Sequence, residues 1–172
     1  MLDVTGATPR TRPFLQTPAA EQFPEFSPDG RWIAYSSNQS GRPEVYVQPY
    51  PGPGPPVQVS IDGGDAPAWR ADGAELFFVA LRSPDNPNLV SMMAATAERR
   101  ADVFVAGAPR KLFEGRYSLT GPVRGYDVTP DGKRFLMVQQ LDPAPEPPSE
   151  LVLVDNWIEE LKRRVPSASP AR

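Results

Sequence analysis

Apolar residues along this chain come in short runs, each closed by a turn rich in Pro, Asp and Gly, and one unit recurs three times. Phe26–Tyr35 reads FSPDGRWIAY, Trp69–Phe78 reads WRADGAELFF, and Val128–Met137 reads VTPDGKRFLM. Each begins on an apolar residue, passes through a tight turn and continues into an apolar strand, which is the pattern of a β-hairpin. The turn residues have separate physical tasks. Pro28 and Pro130 preset φ, Asp29, Asp72 and Asp131 bond their own backbone, and Gly30, Gly73 and Gly132 accept positive φ. Ala71 stands where proline would be in the middle copy.

The second strands, WIAYS, ELFFVA and RFLMVQ, are apolar with little alternation, so both faces of each sheet should be covered by a neighbouring sheet. The pattern predicts third strands at Glu44–Tyr50, Asn88–Ala94 and Glu150–Asn156, fourth strands at Val57–Ser60 and Arg110–Phe113, and an N-terminal copy of the fourth strand at Pro13–Thr17. The turn aspartates lie 43 and 59 residues apart. The first spacing suits a four-stranded propeller blade, and the second needs an insertion, for which residues 81–110 have room. The fold predicted is all-β: a β-propeller segment of about three four-stranded antiparallel blades in an incomplete ring, with a short C-terminal α-helix.

The expected boundaries follow. Residues 1–12 are a flexible lead-in left from a preceding blade. Residues 13–155 hold the blades, in units of about 18–60, 61–113 and 114–155. Asn156 caps a helix over 156–165, with Glu159 in capping-box position and Ile158, Leu161 and Val165 on one face. Residues 166–172 form a disordered tail.

Five segments, FSPDGRWIAYSSN, SGRPEVYVQPYPGPG, APRKLFEGRY, YDVTPDGKRFLMV and LVLVDNWIEELKRRVP, resemble TolB-type, WD40-like β-propeller repeats over roughly residues 13–166. More narrowly they resemble the C-terminal propeller region of large bacterial proteins, some of which carry a serine/threonine kinase domain upstream. The resemblance implies six or more blades where three are seen here. It therefore implies further blades from upstream in a longer chain. The strand count suggests another completion, a second copy forming a six-bladed ring in which the Pro13–Thr17 strand of each chain completes the last blade of the other. No Gly-rich loop, HRD or DFG of a kinase occurs in the sequence.

Composition narrows the chemistry. The 172 residues include neither His nor Cys, so no Ser/His/Asp or Cys/His nucleophile and no Cys/His zinc site can be assembled. Proline supplies 23 residues, far above its usual share, as a chain with many turns requires. A net charge of −3 argues against nucleic acid as a partner. The one dense basic cluster, Lys162, Arg163 and Arg164, suits the last turn of the expected helix. No apolar run is long enough to insert in a membrane.

Six residues are candidates for binding. Glu25 and Asp127 occupy equivalent places on inner strands, which line a propeller's channel, and Arg124 lies just upstream of Asp127; Arg42, Glu44 and Asp65 lie in loops. The acidic turns around Asp29, Asp62, Asp65 and Asp72 could hold calcium, yet the alternating acids of a calcium loop are missing and turn formation accounts for them more simply, so no metal and no cofactor is expected. Trp32, Tyr35, Phe77, Phe78 and Phe135 belong to packing between blades. The function expected is non-enzymatic: an interaction or scaffolding module that takes a protein or peptide at the loop face or channel mouth. Two alternatives are catalytic: a glycosidase using the Glu25 and Asp127 carboxylates, and the propeller of a prolyl-oligopeptidase-like peptidase, which needs a hydrolase domain bearing GxSxG and His.

Overall fold

A computed structural model of the chain describes residues 1–6, 8–80, 89–100, 103–119 and 123–139. Among them every regular element is a strand. A small hairpin pairs β1 (Leu2–Asp3) with β2 (Arg10–Thr11). The first blade then forms from β3 (Glu21–Phe26), β4 (Trp32–Ser37), β5 (Glu44–Pro49) and β6 (Val57–Gln58), hydrogen-bonded in that order. The second blade takes β7 (Asp65–Trp69), β8 (Glu75–Ala80) and the long β9 (Val90–Arg100). The outer edge of β9 is shared: its first half pairs with β11 (Arg110–Gly115), its last residues with β10 (Val103–Ala106). The third blade is described through β12 (Tyr126–Val128) and β13 (Phe135–Met137), with an isolated bridge between Tyr117 and Gln139. The blades form no closed ring among the described residues.

The weak alternation of the second strands has its cause in blade stacking. Trp32 and Ala34 of β4 pack with Leu76 and Phe78 of β8 and with Phe104 of β10. The other face of β8, Phe77 and Val79, packs against Phe135, Met137 and Tyr126 of the third blade. A strand between two sheets is buried on both sides, so apolar residues run consecutively.

The three Asp-Gly turns superimpose in their bonding. Ser27, Arg70 and Thr129 each donate an N–H to the residue five positions on, Trp32, Glu75 and Arg134, at 2.9, 3.0 and 2.9 Å. Gly30, Gly73 and Gly132 have φ of 69°, 70° and 71°. The aspartates serve the turn itself: Asp29 accepts from the Arg31 N–H, Asp72 from the Ala74 N–H and Asp131 from the Lys133 N–H. Arg70, holding Asp72 through two bonds of 2.7 Å, lowers that carboxyl to a pKa of about 2. Gly73→Val should cost about 1 to 3 kcal/mol, because a β-branched side chain enters positive φ only with strain. An unaltered midpoint in urea denaturation would contradict that account of the turn.

Several expectations are corrected. Residues 1–12 are not a bare lead-in but contain the β1–β2 hairpin, whose turn is held by Asp3 accepting from the Thr5 N–H and hydroxyl. Pro13–Thr17 is not a strand. Pro13 offers no amide to a ladder, and Phe14 and Leu15 instead lie on the face of the first blade formed by Ile33, Tyr35 and Tyr46. The third strand of the second blade does not stop at Ala94 but runs to Arg100, because β10 continues the pairing that β11 begins. The expected strand at Glu150–Asn156, the helix over 156–165 and the tail lie outside the described residues.

Candidate functional site

Two inner strands share a kink that the turn motif does not announce. Phe23 and Ala66 both have φ of 51°, each stands immediately before a proline, and the pairing register shifts there, between Gln22 and Glu25 and between Asp65 and Ala68. Non-glycine residues in this region are strained, and bulges of this kind redirect the side chains that follow. Glu25 follows the first kink directly. In the third copy Gly125 takes the place of Phe23 and Ala66, ahead of Tyr126.

At these inner strands Arg124 gathers groups from all three blades. Its Nη1 donates to a carboxylate oxygen of Glu25 on β3 and, at 3.2 Å, to the Pro67 carbonyl on β7. Its Nε donates to the Tyr126 carbonyl at 3.2 Å, and Nη2 lies 3.6 Å from an Asp127 oxygen. The guanidinium carbon sits 5.5 Å from the centre of the Tyr126 ring. Tyr126 is buried and donates its hydroxyl to the Ala66 carbonyl at 2.7 Å. Burial raises the Glu25 pKa from its ordinary value, an effect that the attraction of Arg124 only partly offsets. Burial also drives the Tyr126 phenol well above its ordinary value. The structure thus brings Glu25, Arg124 and Asp127 together. Tyr126 and the carbonyls of Ala66 and Pro67 complete the cluster; sequence reasoning missed the carbonyls because backbone acceptors leave no side-chain signature. The repeated Phe23-Pro24 and Ala66-Pro67 dipeptides were the available signal.

Arg42 and Glu44 belong to a separate cluster. Glu44 is 1% exposed, and its carboxylate accepts from Arg42 Nε at 2.8 Å, from the Gly63 N–H at 3.0 Å and from the Ser60 hydroxyl. Ser60 in turn accepts from the Val45 N–H at 2.7 Å. Arg42, half in solvent, also reaches Asp62 at 2.9 Å. The carboxylate therefore ties the start of β5 to the segment that follows β6. Asp65 is elsewhere, at the head of β7, with one oxygen on the Ala66 N–H at 2.9 Å. Among the described residues no three acidic side chains converge as a cation site would require.

Stacked four-stranded sheets, inner strands bringing polar groups to one cluster and a repeated turn define a segment of β-propeller blades. No family model matches the chain. Over 61 residues, 36% of its length, it is 34% identical to the Tol-Pal system protein TolB of Bordetella pertussis, and the TolB proteins of Bordetella parapertussis and Bordetella bronchiseptica match to the same extent. The matched stretch amounts to 11% of each of those proteins. Among solved structures, one assigned as TolB from Agrobacterium tumefaciens aligns with a TM-score of 0.48 at 18% identity, over 60% of this chain and 36% of that one. TolB from Acinetobacter baumannii aligns with a TM-score of 0.43 at 18% identity, over 81% and 42%. The chain carries TolB-like propeller sequence over about a third of its length.

Proposed function

We propose that the chain is a non-enzymatic β-propeller interaction module that takes a protein or peptide partner at the inner-strand mouth, where Glu25, Arg124 and Asp127 meet. The observation that carries this reading is that a single guanidinium collects carboxylate and carbonyl groups from three blades while Asp127 stays largely in water. Such a site offers fixed charges of both signs and backbone acceptors, which suits hydrogen bonding to a peptide. The TolB proteins it resembles are named for the Tol-Pal system, a context of protein partners. Arg42, with Asp62, is a second exposed polar pair that a partner on the loop face could touch.

The glycosidase reading is the alternative. Glu25 and Asp127 both lie against Arg124, and acid/base work on a sugar would need that guanidinium to move aside so that the two carboxyls flank the scissile bond. Selection of displayed peptides on the full chain, followed by titration of an enriched peptide, tests the proposal. Arg124→Ala should weaken binding about tenfold or more, as loss of a charged hydrogen-bonding anchor does. Turnover of glycosides abolished by Glu25→Gln would sink the proposal in favour of the enzyme.

A further inference from the structure

The repeat assigns every second-strand residue to one of two faces. Ile33, Leu76 and Phe135 are equivalent, as are Tyr35, Phe78 and Met137, and all six belong to the face that looks toward the preceding blade. Ala34, Phe77 and Leu136, with Ser36, Val79 and Val138, belong to the face toward the following blade. In the second blade both faces are filled. Phe77 and Val79 are 1% and 2% exposed, but Leu136 and Val138, at the same places in the third blade, are 76% and 62% exposed.

The first blade has the opposite vacancy. Its preceding face is covered by Phe14 and Leu15 rather than by a sheet. That cover is incomplete. A cleft of about 360 Å³ remains between it and the sheet, lined by Pro13, Phe14, Leu15, Phe26, Ile33 and Tyr35. Phe26 is 48% exposed, whereas its equivalent Trp69, overlain by the first blade, is 6% exposed. The Trp69 indole N–H reaches the Glu25 carbonyl of that blade at 3.4 Å, so an apolar residue here is built to be covered by a blade. The segment before the cover is tied down by contacts at the surface, chiefly Arg12 to the Tyr50 hydroxyl at 3.2 Å and the terminal amine to the Arg12 carbonyl at 2.6 Å.

We infer that Phe14 and Leu15 form a removable cover standing in for a blade, and that a second copy of this chain displaces it, seating its Leu136–Val138 face on Ile33, Tyr35 and Phe26. This rests on the reading of the chain as stacked blades forming an interaction module, and it adds the partner. The new contact continues the interface already present twice in the molecule, with the same residue positions on each side. Each copy owns one face of each kind, so two copies related by a two-fold axis satisfy both and reach six blades, within the range of closed rings.

Sedimentation velocity on the full chain, which has a mass of 18.8 kDa, tests this. F14A/L15A should lower the dimer dissociation constant about tenfold or more, because the cover no longer competes for the face. Leu136→Glu, on a side chain already in water, should abolish the dimer while the circular dichroism spectrum stays unchanged. A discrete two-chain particle in F14A/L15A that Leu136→Glu removes supports the inference. A monomer at every concentration in F14A/L15A, or association that Leu136→Glu leaves intact, overturns it. Peptide binding at Arg124 provides the separate readout: measured on the parent chain at concentrations where it is monomeric, it tests the mouth whether or not F14A/L15A dimerises.

Discussion

Phe77→Ala should lower the free energy of unfolding by about 3 to 5 kcal/mol, the range for removing a large aromatic side chain from a packed core. The ring is 1% exposed and meets Phe135 edge-on, with centroids 5.1 Å apart. Around it lie Ala68, Val79, Met92, Ala94 and Tyr126, contributed by the second and third blades. None of these can follow the lost ring without pulling a strand out of register, so the cavity stays largely open. The third blade has only β12 and β13 among its described strands, and Phe77 is a main anchor for β13. Urea denaturation followed by tryptophan fluorescence reads the change. Leu136→Ala is the control: one position on from Phe135 and 76% exposed, it should move stability by no more than about 0.5 kcal/mol. Equal losses for the two variants would mean that the faces have been assigned wrongly.

Glu44→Ala should cost about 2 to 4 kcal/mol, through stranded donors rather than a lost ion pair. The Ser60 hydroxyl and the Gly63 N–H both point at this buried carboxylate, and no water replaces it without a cavity large enough to admit one. Glu44→Gln keeps an acceptor oxygen and should lose less. Arg42→Ala should lose about 1 kcal/mol or less, because that guanidinium is half in solvent and leaves two donors on the carboxylate. Thermal denaturation of the three variants gives the order. If Arg42→Ala proves the most damaging, the carboxylate depends on its ion pair and not on its neutral donors.

The turns were legible because their bonds close within five positions, where spacing and chemistry suffice. The bonds by which Asp29, Asp72 and Asp131 hold their turns are all local. The blade core was legible for a related reason: consecutive apolar residues such as Leu76 to Val79 have few other ways to be buried. The kinks at Phe23 and Ala66 were not legible, since neither residue favours positive φ and only the surrounding sheet imposes it. The segment over Glu98, Arg99 and Arg100 fell within the stretch assigned to an insertion, because the spacing between turns called for one. Yet Arg99 holds Asp29 of the first blade at 2.9 Å and the Gly73 carbonyl at 3.2 Å, so the charges fasten one blade to the next. The alignment of Glu25 with Asp127 was visible in the repeat. Their meeting on Arg124 was not, because it depends on how three blades are arranged.

The outer rim of the first blade bears on a different hazard. After β5, which itself ends on Pro49, the chain passes through Pro51, Pro53, Pro55 and Pro56 before the two residues of β6. Four of the six positions from 51 to 56 thereby offer no amide donor to an incoming strand, and the edge that follows is too short to template one. Proline and brevity are among the means by which sheet proteins resist amyloid-like recruitment. A chain that needs sticky sheet faces can keep them only if its rims are inert, and here the backbone of the rim is silenced by the same proline excess that first marked the composition as unusual.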